Sequence, residues 1–157
     1  MTEPRHLAQL NIGRLRYPTD DPRMADFMNN LDFVNGLAER TPGFVWRLKD
    51  ESNNATNFRA FADPQMALNL SVWENFAAFE RYVWQTVHKR FYGRRHEWFD
   101  KTDGAYFVMW WVPVGHVPTI EEAKARLDHL AAHGPTEYAF GWESMPAAQL
   151  WKTARCA

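Results

Sequence analysis

Two adjacent tryptophans, Trp110 and Trp111, constrain the fold most, because they lie in an apolar, aromatic segment that predicts a strand. Side chains alternate across a strand, so one indole faces each side of the sheet. A large aromatic side chain buries about 150–250 Å², and the chain has 8 Trp, 11 Phe and 5 Tyr. The sheet that contains this strand therefore needs cover on both faces.

The chain has the length expected of a single domain. Its 157 residues are taken as one unit, residues 1–157, with a C-terminal helical extension over about residues 114–157. A net charge of −1 gives no basic face for nucleic acid. The single Cys156 forms neither an intramolecular disulfide nor a thiolate metal site. With neither a secretory signal nor an apolar membrane span, we expect a cytoplasmic protein without nucleic-acid, membrane or metal partners.

Hydrophobic alternation and helical periodicity predict the element order β-α-β-β-α-β. The first helix is capped by Asp21, with Pro22 in its first turn, and ends before Pro42. The second helix begins near Glu74, and Gly93 bends or breaks it. The predicted strands span residues 7–15, 44–49, 66–73 and 105–112.

Further elements follow the fourth strand. Thr119 to Glu122 resembles a capping box, which opens a helix that ends at Gly134. Residues 138–142 are interpreted as a short fifth strand, and residues 58–61 as an extension of the hairpin between the second and third strands.

The predicted order is that of an α+β, ferredoxin-like fold, a four-stranded antiparallel sheet with both helices on one face. The second face of that sheet is then bare. A second copy that lays its sheet against this face would bury the aromatic residues and form a dimeric α/β barrel. We therefore expect a homodimer.

Several motifs resemble known families. The segments Pro42-Gly43-Phe44, Val72-Trp73-Glu74 and residues 88–99 resemble the dimeric α+β barrel superfamily that contains the antibiotic-biosynthesis monooxygenases. A closer similarity, over about residues 6–145, is to the bacterial domain of unknown function 3291; its motifs are Leu7-Ala8-Gln9-Leu10-Asn11, Asp21-Pro22-Arg23-Met24, Pro42-Gly43-Phe44-Val45-Trp46 and Arg95-His96-Glu97-Trp98-Phe99.

The superfamily resemblance implies a site. Its cofactor-free, quinone-forming monooxygenases hold a polyphenol with an Asn and a Trp of one strand, which correspond to Asn69 and Trp73. Its haem-degrading members use an Asn, a Trp and a His that would correspond to Asn11, Trp73 and His88. His88 lies further along the chain from the Trp than in those enzymes. The resemblance therefore implies no cofactor, with haem as the alternative.

The residue types themselves suggest a pocket between sheet and helices. Asn69, in an otherwise apolar strand, and His88, at the edge of the apolar stripe of the second helix, are interpreted as catalytic, since histidine exchanges protons near neutral pH. The competing interpretations are an Asn bonded to backbone or water and a half-exposed His. The expected substrate-binding residues are Trp73, Asn11, Trp46, Trp84 and Trp110.

Basic and aromatic side chains alternate over residues 88–98. They form either an anion-binding rim for a carboxylate or phosphate, or a solvated helix whose charges pair with Glu80, Glu97 and Asp100.

Three functions are compatible with these patterns. The favoured one is a small enzyme, a cofactor-independent monooxygenase or isomerase acting on an aromatic or polycyclic molecule. Asn69 and Trp73 would hold the substrate and His88 would move a proton. The second is a non-catalytic binding protein for haem or another apolar ligand. The third is a structural or regulatory dimer, which predicts a filled interior with Asn69 and His88 bonded internally.

Overall fold

The computed structural model describes residues 4–49, 66–85, 88–100 and 105–145, with only the backbone of Gln85, His88, Phe91 and Tyr92. The strands in this part of the chain are β1 (Arg5–Arg14), β2 (Phe44–Arg47), β3 (Met66–Trp73) and β4 (Phe107–Pro113). The helices are α1 (Ala25–Arg40), α2 (Phe76–Gln85), α3 (His88–Gly93), α4 (Arg95–Trp98) and α5 (Ile120–His133), with 3₁₀ turns at Pro22–Met24 and Trp142–Ser144. No helix among the described residues is long and apolar enough to cross a membrane.

The local capping predictions are confirmed. The Asp21 carboxylate accepts the backbone N–H of Arg23 at 2.9 Å, and Pro22 opens the 3₁₀ turn that leads into α1. The Thr119 hydroxyl accepts the N–H of Glu122 at 3.1 Å at the start of α5, which Gly134 ends with a φ of 75°. The helix predicted after β3 is interrupted: α3 ends at Gly93, and α4 follows as a separate piece.

The four strands form one antiparallel sheet in the order β2-β3-β1-β4. Its inner face carries Leu7, Trp73 and Met109, which pack with residues of α1 and α2. Its outer face carries alternate residues such as Leu10 and Trp110.

The outer face is covered within the chain, so the prediction of a bare second face was wrong. Ala123 and Leu127, one helical turn apart on α5, are buried against this face. Trp110 is 0% exposed, and its Nε1–H donates to Glu122 Oε2 at 2.8 Å. The requirement for cover on both faces is confirmed, but α5 of the same chain meets it. Within the segment expected as an extension, α5 is therefore part of the core.

The predicted fifth strand is also absent from the described residues. Phe140 makes one isolated bridge to Met109, with backbone N···O distances of 2.7 and 3.0 Å. The chain then turns at Gly141 into the short 3₁₀ turn that begins at Trp142, so the pairing cannot continue. The hairpin extension proposed for residues 58–61 lies outside the described residues.

A glycine holds the connection between α1 and β2 against α2. Gly43 has a φ of 94°, and a Cβ placed on it would lie 2.4 Å from Ala78 Cβ. Its carbonyl accepts the N–H of Glu74 at 2.7 Å. The Pro42-Gly43 motif thus fixes where α2 starts relative to the sheet.

Candidate functional site

A row of four polar side chains crosses the inner face of the sheet. Gln9 and Asn11 of β1 lie opposite Ser71 and Asn69 of β3. The Gln9 Nε2 amide donates to Asn69 Oδ1 and to Ser71 Oγ, both at 2.7 Å. The Asn11 Nδ2 amide donates to Gln9 Oε1 at 2.9 Å. We call these four residues the polar row.

The polar row keeps hydrogen-bond donors available. Ser71 Oγ accepts two hydrogen bonds, from Gln9 and from Trp73 Nε1 at 3.0 Å, which leaves its own O–H to donate. Asn69 accepts through Oδ1, and its Nδ2 amide has no acceptor among the described residues. Gln9 and Ser71 are buried, whereas Asn11 and Asn69 are half-buried. The row can therefore bind an acceptor oxygen.

A buried cation lies next to the row. Arg47 of β2 is the register partner of Ser71, and its side chain is 4% exposed. Its Nε donates to Glu39 Oε1 at 2.8 Å. The guanidinium is therefore paired with a carboxylate that is itself 37% exposed.

Trp73 is part of the core next to the row. Its indole stacks on Tyr82 at 5.1 Å between ring centroids and contacts Phe44 and Phe79 at 5.4 and 5.6 Å. The Tyr82 hydroxyl donates to the Val34 carbonyl at 3.2 Å, and burial raises the pKa of this phenol. Packed on three sides, Trp73 contributes its N–H to the network rather than a free ring face to a ligand.

A second tryptophan, Trp142, fills the space between α2 and β4. Its ring is nearly parallel to those of Phe79 and Phe107, with centroid distances of 5.2 and 5.3 Å and interplanar angles of 6° and 3°. The rings of Phe76 and Trp84 are inclined to it at 5.6 and 5.7 Å. Trp142 thus packs among the aromatic rings of α2 and β4.

Residues 6–156 match the family described as "Domain of unknown function (DUF3291)". The chain belongs to the DUF3291 family. No curated protein matches this DUF3291 chain significantly. The crystal structure of a conserved protein from Methanosarcina mazei Go1 is similar over 70% of this chain and 93% of that one, with 12% identity and a TM-score of 0.48.

The structure of this DUF3291 protein brings some predicted residues together and separates others. Asn11, Asn69 and Trp73 share one hydrogen-bonded network, and Trp84 packs beside Trp142 on the same side of the sheet. Trp46 and Trp110 belong to the cluster on the outer face, so the structure does not bring them to this site. Strand alternation is the reason, since each lies one position out of phase with the inner-face residues. The side chain of His88, the first residue of α3, lies outside the described part.

Sequence reasoning missed three residues of this region, Gln9, Ser71 and Trp142. Gln9 and Ser71 each lie two positions from a predicted Asn on the same strand face, so the alternation that selected Asn11 and Asn69 points to them as well. Trp142 had no comparable indication, because its position depends on how the chain folds back after α5.

The basic segment of this family member is partly paired. Arg94 donates to Glu97 Oε2 at 2.8 Å and to Asp26 Oδ2 at 3.0 Å. The hydrogen bond from Arg94 holds the pKa of the Glu97 carboxyl below its usual range. The pairing of Arg94 therefore agrees with a solvated helix whose charges are paired, and not with an anion-binding rim.

Two open depressions lie away from the polar row. One of about 400 Å³ is bordered by Arg5, Trp111, Phe140 and Met145, and another of about 230 Å³ by Gly43 and Asn75. None of the predicted site residues lines either depression. Among the described residues no group of three or more His, Cys, Asp or Glu is arranged to hold a metal ion.

Proposed function

We propose that this protein binds a small aromatic molecule with an acceptor oxygen on the inner face of the sheet. One observation carries the proposal: the polar row presents the Asn69 amide and the Ser71 hydroxyl as donors beside an aromatic cluster. The oxygen would accept from these groups, and the ring would lie against the aromatic side chains of α2 and β4.

The free-energy cost of burying the polar row supports a role for it in ligand recognition. Buried polar groups stabilise a fold little more than apolar groups of similar shape, and a network is costly when partly satisfied. Here two fully buried polar residues, Gln9 and Ser71, stand in a core dominated by aromatic rings. Donors such as the Ser71 hydroxyl favour a partly negative oxygen, such as a carbonyl or a phenolate.

The rings are close enough to the row for one ligand to contact both. Phe107 is the register partner of Asn11 on β4, and opposed side chains have Cβ atoms about 4.5–5.5 Å apart. Phe79 packs on Trp73, whose N–H belongs to the network. A bicyclic molecule can therefore place its ring near Phe79 and Phe107 and its oxygen at the row.

A matched pair of probes tests the proposal. 1-Tetralone carries one acceptor carbonyl and tetralin carries none. We expect tetralone to bind more tightly, by roughly 3- to 10-fold for one net hydrogen bond, in ligand-observed NMR titrations. Asn69→Leu should abolish this preference, whereas Asn29→Leu, on the exposed side of α1, should keep it. Equal affinities for the two probes in the unmodified protein would refute the proposal.

A cofactor-independent monooxygenase or isomerase is the second candidate, favoured by the same donors. Hydrogen bonds to a phenolate stabilise the deprotonated, electron-rich form that can react with oxygen directly. His88, at the start of α3, would take the phenol proton, and Asn69 would hold the oxygen. Oxygen uptake with electron-rich phenols, lost in His88→Ala while binding persists, would support this function.

Haem binding and a purely structural role remain the alternatives. A saturable Soret shift that is lost in His88→Ala would support haem binding. A purely structural role predicts a filled interior in which Asn69 is hydrogen-bonded to other residues of the chain. The packing of Trp142 and the Gln9–Asn69 hydrogen bond agree with that prediction. Binding of 1-tetralone would favour the proposed ligand-binding function over a purely structural role.

We also propose the ferredoxin-like fold and a place in the superfamily of the antibiotic-biosynthesis monooxygenases. The strand order β2-β3-β1-β4, with α1 and α2 against one face, supports this placement. A barrel made from two outer faces would have to displace α5. The homodimer stays a prediction, for which light scattering should return twice the chain mass of 18.4 kDa.

A further inference from the structure

We infer that Trp142 is an internal occupant of the ring-binding space, a side chain that a planar bicyclic ligand must displace. The inference rests on the proposed function and narrows its ligand class. An indole is itself a flat bicyclic ring, so the space it fills has the shape that such a ligand needs.

The ring geometry is that of a bound aromatic ligand. The planes of Phe79, Phe107 and Trp142 lie within 8° of one another. Offset parallel stacking with centroids 4.5–7 Å apart is a favoured arrangement for aromatic pairs. Phe76 and Trp84 close the space with inclined rings. The same four rings would hold an external ring in the same way.

The backbone around Trp142 is weakly attached. The last backbone hydrogen bonds to a strand are those between Phe140 and Met109. Beyond them, the backbone bonds of residues 141–145 within the described part of the chain are two local ones, from Ser144 N to Gly141 O and from Met145 N to Trp142 O, both at 3.1 Å. The turn is therefore held mainly by side-chain packing, in which Trp142 and Met145 take part. Removing the ring from its space would break no hydrogen bond of the sheet.

The vacated space would meet the polar row. Phe107 stacks with Trp142 and is also the register partner of Asn11 on β1. Phe79 similarly joins Trp142 to Trp73. A ligand in place of Trp142 could thus reach the donors of the row, whereas the indole, which carries no acceptor oxygen, cannot use them.

When an internal side chain occupies a site, the apparent affinity for a ligand equals the intrinsic affinity multiplied by the fraction of molecules whose site is free. Trp142→Ala should therefore bind both 1-tetralone and tetralin at least about tenfold more tightly than the unmodified protein. Trp46→Ala is the matched control, because it removes another half-buried tryptophan from the opposite face of the sheet. It should leave both affinities unchanged.

A second measurement uses the full chain with Trp142 in place, and so does not depend on the stability of a variant. In protein labelled with 5-fluorotryptophan, the ¹⁹F resonance absent from Trp142→Phe identifies Trp142. Saturating 1-tetralone should move this resonance towards the position of a solvent-exposed indole. A Trp142 resonance that keeps its position while the probe binds would overturn the inference.

The outcomes separate the two proposals. If tetralone keeps its preference over tetralin but Trp142→Ala gains no affinity, the inference fails and the proposed function stands. In a second outcome, Trp142→Ala gains affinity for both probes and binds them with equal affinity, while Asn69→Leu changes neither affinity. In that case the inference about Trp142 stands, and the proposed role of the polar row in binding fails. If neither probe binds any variant, both proposals fail.

Discussion

Gln9 and Asn69, 60 positions apart in the sequence, are joined by a 2.7 Å hydrogen bond from the Gln9 Nε2 amide to Asn69 Oδ1. The same amide group reaches Ser71, and its oxygen accepts from Asn11. One buried side chain therefore organises all the donors that the row offers to a ligand, and its loss should affect stability and binding together.

Gln9→Leu should destabilise the fold, because it removes three hydrogen bonds and leaves buried partner groups unsatisfied. The expected loss is about 1–3 kcal/mol in the free energy of unfolding, measured by urea denaturation. A double-mutant cycle with Asn69→Leu should show coupling of about 0.5–3 kcal/mol. Strictly additive losses would mean that the two side chains do not share a network.

Gly43→Ala should be more damaging than Gly115→Ala. Both glycines have positive φ, 94° and 90°, but only Gly43 would bring a Cβ within 2.4 Å of Ala78 Cβ; the space around Gly115 is open. Backbone strain should cost each variant about 1–3 kcal/mol, and the clash should add about 1–3 kcal/mol at Gly43. Equal shifts in the urea midpoint would contradict the close approach of the turn to α2.

Glu122 should contribute to the docking of α5 on the outer face. Its carboxylate accepts from Trp110 Nε1 at 2.8 Å and lies 2.6 Å from His116 Nε2. Glu122→Gln keeps an acceptor for the buried indole, while Glu122→Ala leaves that N–H unsatisfied. We expect the Ala variant to be less stable than the Gln variant by about 1–3 kcal/mol. The two variants should differ less in a Trp110→Phe background, where the indole N–H is missing.

Asp21 should make stability depend on pH in the acid range. Its hydrogen bonds with the Arg23 side chain and backbone lower the pKa of this carboxyl from 3.8 to about 2. Because the folded-state pKa is the lower one, the stabilisation is present above about pH 4 and is lost as the pH falls to about 2. The Tm difference between the unmodified protein and Asp21→Asn should therefore shrink over this range.

Much of the fold could be predicted from local patterns. The bounds of β3, Met66–Trp73, and of α5, Ile120–His133, match their predictions, since alternation and capping residues act within a few positions of each other. The inner-face placement of Asn11 and Asn69 follows from the same alternation. Trp46 and Trp110 lie on the outer face because they are out of phase with those residues in the alternation along their strands.

The sequence by itself determined where the strands and helices form, because caps, turns and periodicity depend on neighbouring residues. Only the tertiary structure decided that α5 covers the outer face, that Gln9 joins Asn11 to Asn69, and that Trp142 packs against Phe79 and Phe107. These contacts join residues far apart in the chain. Which side chains meet depends on how the whole chain packs, and no local pattern carries that information.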